Sequence, residues 1–143
     1  MSKSDTPSVI IPPLAKGEIY AGIVVSKGVP QHHLILLPGE TRASWKGALA
    51  WAKEKNAELP TRANWKAALA LAKNKNGDLP TRVEQALLFA NAADQFQQDW
   101  YWSAEPHAGD ASCAWCQYFD DGRQGYDRQT NERRARAVRR VAI

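Results

Sequence analysis

The chain changes its hydrophobic period twice along its length, and that order restricts the fold more than any single motif. Residues 17–25 (GEIYAGIVV) and 32–37 (HHLILL) are β-rich runs separated by the turn-forming stretch 26–30, the pattern of a hairpin. Residues 41–91 carry helical spacing. Beyond residue 100 the chain is cut into short β-like runs, 100–103, 113–119, 124–128 and 134–143, by turns rich in Pro, Gly, Asp and Asn. Asp121-Gly122 is a tight-turn signal between two of these runs. A strand pair, then helices, then several antiparallel strands is an α+β layout. At 143 residues the chain has the size of one domain. We expect a flexible arm over residues 1–13, tethered by Ile10 and Ile11, and a single domain over 14–143.

The helical region contains a duplication. Residues 41–60 and 61–80 are identical at 14 of 20 positions. In the first copy Trp45, Ala48, Leu49 and Ala52 fall at i, i+3, i+4 and i+7, as do Trp65, Ala68, Leu69 and Ala72 in the second. Each set is one apolar helical stripe. Two copies at this period are too few for a solenoid, so the repeat reads as a local duplication of one helix with its linker. Helices are expected over 43–56, 63–76 and 82–91, with Thr41, Thr61 and Thr81 at the N-cap positions. Thr81-x-x-Glu84 is a capping box, and Gly77 suits a helix C-terminus. The lysines at 46, 53, 55, 66, 73 and 75 dress the solvent face.

With 44% hydrophobic and 24% charged residues, the composition is that of a globular protein. No apolar run is long enough to cross a bilayer, so no membrane partner is expected. Residues 1–8 lack the apolar core of a signal peptide, which points to the cytoplasm, or to a virion particle if the protein acts outside a cell. The net charge is +4 but unevenly placed: arginines 123, 128, 133, 134, 136, 139 and 140 face only Asp127 and Glu132 in the same stretch. Such a bias suits an acidic partner, nucleic acid included, or internal pairing with carboxylates. Cys113 and Cys116 have C-x-x-C spacing but lie in a strand-like run, where side chains three apart point to opposite faces. They are expected to be ordinary free thiols, neither disulfide nor metal site.

In the C-terminal third, Trp100 and Trp102 share one strand face and Tyr101 takes the other. In the last run Arg134, Arg136, Val138 and Arg140 share a face. The opposite set, Ala135, Ala137, Arg139, Val141 and Ile143, is the expected inward one, with Arg139 pairing or snorkelling.

Five spaced motifs carry a resemblance. They are Leu79-Pro-Thr-Arg-x-Glu84, Ala86-Leu-Leu-Phe-Ala-Asn91, Asp99-Trp-Tyr-Trp-Ser103, Ala114-Trp115 with Gln117-x-Phe119-x-Asp-Gly122, and Arg134-Ala-Arg-Ala-Val-Arg-Arg-Val141. Together they resemble the family of unknown function grouped with the C-terminal domain of the Lcl collagen-like adhesin, and more closely its short phage and prophage members. The resemblance implies a C-type-lectin-like fold: terminal strands pair, two helices flank them, and a second small sheet presents a variable surface. The chain departs from that pattern by its extra 20-residue unit. Glu105-Pro106-His107 is similar to the Glu-Pro-Asn tripeptide of sugar-binding lectin domains. The companion Trp-Asn-Asp tripeptide is absent, and calcium takes about six to eight oxygen ligands, so no metal is expected.

The candidate binding surface is the polar and aromatic stretch containing Tyr118, Asp120, Asp121, Arg123, Gln124, Tyr126, Asp127 and Arg128, joined by Trp102, Glu105 and His107. Tyr offers area at low entropy cost and Arg or Asp offers polarity, the composition of adaptable recognition surfaces. No nucleophile elbow, phosphate loop or His-Glu-x-x-His motif is present. The expected function is therefore a non-enzymatic, cofactor-free ligand-binding module of phage or prophage origin that recognises a protein or a glycan, with self-association open. The alternatives are a nucleic-acid-associated accessory protein using the Arg/Lys-rich surface, and an intracellular inhibitor of a host protein.

Overall fold

A computed structural model of the protein describes residues 10–55 and 77–143. The expected hairpin is present as β1 (Ile19–Ser26) and β2 (Val29–Leu36). Its turn, Lys27-Gly28, has φ of 51° and 78°, two left-handed residues as a type I′ turn requires. The other strands are β3 (Thr41–Ala43), β4 (Trp100–Pro106), β5 (Cys113–Tyr118), β6 (Gln124–Arg128), β7 (Arg133–Ala135) and β8 (Val138–Ala142). They form a three-stranded sheet, β1-β2-β8, and a five-stranded sheet, β3-β7-β4-β5-β6. All pairings are antiparallel except β4–β7, which is parallel at Tyr101 and Arg134. The architecture is α+β, as the order of periods implied.

Two α-helices lie among the described residues: α1 (Trp45–Glu54) and α2 (Arg82–Ala92). The capping box on α2 forms as expected from Thr81 and Glu84. On α1 the N-cap is Ser44, not Thr41. Thr41 is instead paired with Ala135 in β3, and Arg42 and Ala43 continue that ladder, so no helix can start directly after Thr41. The first duplicated copy supplies α1, while the expected helix 63–76 lies outside the described residues. A repeat of helices is not what the described residues display, since α2 belongs to the divergent third segment.

Adjacent residues feed two separate cores. Leu36 and Tyr101 point into one, with Leu34, Leu88, Ala92, Phe119 and Val138. Leu37 and Trp102 point into the other, with Ala48, Ala52, Leu79, Ala114, Cys116 and Ala135. The five-stranded sheet is thus buried on both faces near its centre, by α2 on one side and α1 on the other. Trp102 is fully buried and its Nε1–H donates to the Ala43 carbonyl at 2.9 Å. Trp45, half-buried against the same core, donates its Nε1–H to the Ser103 carbonyl at 2.8 Å, so neither indole strands its donor.

The run 134–143 is not one strand. It breaks at Arg136-Ala137, so β7 enters the larger sheet and β8 the smaller. The break resets the alternation, and Ala137, Val138 and Arg139 are buried in succession. Val138 faces α2, while Arg139 lies opposite Ile35 on the other side of the small sheet. There its guanidinium meets Glu18 and the carbonyl of Pro13. The expected tether through Ile10 and Ile11 is not found: these side chains are 84% and 51% exposed. The segment is fastened by hydrogen bonds at Pro13 and Glu18 instead.

Candidate functional site

The site lies where β5 and β6 extend past the covered centre of the larger sheet, with both faces of this two-stranded ribbon reaching the surface. Strand alternation assigns the side chains. Trp115 pairs with Tyr126 and Gln117 with Gln124 on the α2 face. Cys116 pairs with Gly125 and Ala114 with Asp127 on the opposite face.

On the α2 face an aromatic cluster sits on a fixed polar frame. The Arg82 guanidinium, on the first turn of α2, lies 3.5 Å from the Trp115 ring centroid, a close cation–π contact. His107 lies 5.0 Å from Trp115 and 4.2 Å from Tyr126. Trp115 and Tyr126 meet edge to face at 5.6 Å. The frame behind them is a relay of amides. Gln117 donates to the Gln85 carbonyl at 2.6 Å, and Gln124 donates to Gln117 at 2.9 Å and to the Arg82 carbonyl at 2.7 Å. Arg82 Nε donates to Gln124 at 3.0 Å. Glu105 accepts from the Arg82 backbone N–H at 2.6 Å, which places its charge at the positive end of α2. Beside this frame a shallow groove of about 410 Å³ runs between Arg82, Glu105, Gln117 and Gln124. Tyr126, against His107 and Trp115, is 57% exposed.

On the opposite face Trp100 and Tyr118 stack at 5.0 Å, with Arg123 over both at 5.7 and 5.1 Å. A smaller groove of about 240 Å³ lies between Trp100, Gly125, Asp127 and Arg133, with Cys116 among its lining residues. A Cβ on Gly125 would sit 3.3 Å from the Trp100 ring, so glycine keeps this wall open. Asp127 is bound by Arg133 at 2.7 and 2.6 Å and by Asn131 at 2.9 Å. Burial opposes its charge, but the backbone N–H of Arg128 and the Arg133 guanidinium hold its carboxyl below the usual carboxylate range. Both cysteines are free and buried, on opposite faces of β5. Burial, with Asp127 nearby, pushes the Cys116 thiol up to about 12, the reverse of an activated nucleophile.

The surface drawn from sequence therefore divides. Glu105, His107, Gln124 and Tyr126 meet on the α2 face, and Arg128 follows them by alternation. Tyr118, Arg123 and Asp127 lie on the other. Asp120 and Asp121 are exposed in the β5–β6 turn, where Asp121 accepts from the Arg123 backbone N–H at 3.0 Å. Trp102 is a core residue and reaches neither face. Arg82, Trp100, Trp115 and Arg133 complete the two surfaces and were not in the sequence-derived set. Arg82 follows a helix cap, and no local signal indicates that its side chain crosses to β5.

Among the described residues no three His, Cys, Asp or Glu side chains gather as a metal site, and no helix is long and apolar enough to cross a membrane. No known family model matches the chain, and no curated protein matches it significantly.

Proposed function

We propose that the chain is a non-enzymatic binding module of C-type-lectin-like architecture and of phage or prophage origin. On this reading it recognises a protein or glycan ligand through the β5–β6 ribbon. The fold assignment is supported by the pairing of the N-terminal hairpin with the C-terminal strand β8, by α2 and α1 packed about the sheets, and by a second sheet with an exposed end.

The observation that carries the function is the Trp115–His107–Tyr126 cluster beside a groove whose polar groups are already held in place by one another. Aromatic faces supply contact area against a sugar ring or an apolar side chain, and preset amide and carboxylate groups supply direction at low ordering cost. The nucleic-acid alternative has less to stand on. Of the seven arginines between 123 and 140, Arg123, Arg133, Arg134, Arg139 and Arg140 pair with carboxylates, and Arg136 donates to the carbonyls of Leu37 and Gln95.

A glycan array and a pull-down from host lysate test the reading. His107→Ala with Tyr126→Ala should weaken the selected ligand by more than about tenfold, the scale of a lost aromatic anchor. Tyr118→Ala with Arg123→Ala reports the other face. A ligand profile unchanged in both double variants would exclude the ribbon as the binding surface. Genome neighbourhood separates a virion receptor-binding role (tail genes alongside) from an inhibitor of a host protein (early genes alongside).

A further inference from the structure

The geometry points to β6 as a two-fold dimerisation edge, on which a second copy of this chain adds its own β6 antiparallel and continues the larger sheet across the interface. This does not depend on which ligand the ribbon takes.

Among the described residues β6 is the last strand of its sheet. The Tyr118 N–H donates to the Arg123 carbonyl at one end of its ladder with β5, and the Gln129 N–H to the Ser112 carbonyl at the other. Antiparallel ladders alternate, so Gly125 and Asp127 bond inward to β5. The backbone N–H and C=O groups of Gln124, Tyr126 and Arg128 then point away from the sheet. Proteins that keep such an edge monomeric blunt it with proline, charged side chains, a very short strand, a bulge or a covering segment. β6 reads QGYDR, five residues without proline or lysine; its two charges are of opposite sign, Asp127 is already held by Arg133, and its register with β5 runs unbroken from residue 124 to 128.

The strand is also complementary to itself. An antiparallel pair centred on Tyr126 sets Tyr126 against Tyr126 of the second copy, Gln124 against Arg128, and Gly125 against Asp127. No like charges are opposed, and Asp127 meets the one position without a side chain. Tyr126 N–H would donate to the Tyr126 carbonyl of the other copy and reciprocally, flanked by Gln124 N–H to the Arg128 carbonyl. The Arg128 N–H stays with Asp127 Oδ1, which it already meets at 2.8 Å. Paired residues share a face. The second copy therefore brings its Tyr126 beside the first, and the two Trp115–His107–Tyr126 clusters become one aromatic surface that neither chain presents alone.

Five paired residues make a small interface, so the dimer should be weak. Sedimentation equilibrium from about 10 µM to about 1 mM should show the average mass rising from one chain toward two, the range of a Kd near 100 µM. Tyr126→Pro deletes an outward backbone donor together with the ring, a backbone change tolerable on an edge, and Tyr126→Lys adds a charge at the two-fold; both should remain monomeric. A wild-type chain that stays monomeric to 1 mM overturns the proposal, whether or not the edge accepts strands from other proteins. So does a dimer that survives both substitutions. Should neither variant fold, amide hydrogen exchange on the wild type decides. Tyr126 exchange should slow about fourfold between the dilute and concentrated samples, as the monomer fraction falls at that Kd, and an unchanged rate in a sample that is dimeric overturns the edge assignment. Ligand binding measured at about 1 µM, far below that Kd, reports the function proposed above separately.

Discussion

Arg139 and Glu18 form a doubly hydrogen-bonded ion pair, with both contacts at 2.9 Å and neither side chain more than 1% exposed. It ties the last strand to the segment entering the first, on the face of the small sheet turned away from α2. Both charges are desolvated, so the loss of one strands the other. Glu18→Ala or Arg139→Ala is expected to cost about 3–5 kcal/mol in urea unfolding. The double change Glu18→Leu with Arg139→Met should recover most of that loss, since an apolar pair needs no partner charge. A double variant no more stable than the singles would show that the pair contributes net stability beyond mutual neutralisation.

Glu84 sets an acid limit on stability. Burial works against its charge, but Arg140 donates to it twice at 2.7 Å, Thr81 N–H once at 2.8 Å, and His32 lies 2.6 Å away. Together they hold its pKa below the ordinary glutamate value. A depressed folded-state pKa gives stability that is present above the unfolded value, about 4.3, and is lost as pH falls through the folded value. Glu84→Gln should lower stability at pH 7 by about 3 kcal/mol, because Arg140 loses its main partner. It should also flatten the loss below about pH 4. Asp99 and Asp127 shift in the same direction, so some acid dependence should remain. Unfolding free energies measured across this range check both points, and an equally steep acid limb in the variant would contradict the assignment to Glu84.

Gly122 holds the β5–β6 turn against α2. Its φ is +83°, and a Cβ there would lie 2.8 Å from the Phe89 ring. Gly122→Ala therefore combines left-handed backbone strain with a clash against a ring already packed on Phe119 at 6.2 Å. The expected loss is about 2–3 kcal/mol, with chemical-shift changes concentrated at residues 119–124. A variant as stable as the wild type would mean that Phe89 moves aside freely.

The order of periods was enough to read the hairpin, the α+β class, the α2 capping box and β6, because each rests on local spacing. The failures share a tertiary cause. Thr41 has the chemistry of a cap, but pairing with Ala135 outbids helix initiation. The alternation of residues 134–143 is valid within each strand and breaks where the chain changes sheets, which no local pattern marks. Trp102 resembles a ligand-facing aromatic by composition, yet α1 closes over its face. Half of the site was legible for the same reason. Gln124, Tyr126 and Arg128 alternate visibly on one face of β6, whereas Arg82 reaches Trp115 only after α2 has docked.

The described chain on the two sides of residues 56–76 meets at Lys55 and Gly77. The chain leaves the end of α1 at Lys55 and is next described at Gly77, whose N–H donates to the Lys55 carbonyl at 2.8 Å. The approach is so close that a Cβ on Gly77 would lie 2.4 Å from the Ala52 carbonyl oxygen. Asp78 then bridges Val138 and pairs with Arg140 at 3.0 Å. The repeat makes Asn76 the counterpart of Asn56, so deleting residues 56–75 joins Lys55 to the same residue type that follows it now. The Lys55–Gly77 bond would become an i→i+2 contact of a γ-turn, a conformation open to Asn. The entropy of closing a connection changes only slowly with its length. The deleted chain is expected to fold, with a Tm within about 5 °C of the parent, the shift of roughly 1 kcal/mol in a domain of this size. Gly77→Ala in the full chain should lower Tm by more than the deletion does. A deletion variant that does not fold would show that the second copy is part of the cooperative unit and not an insertion at its surface.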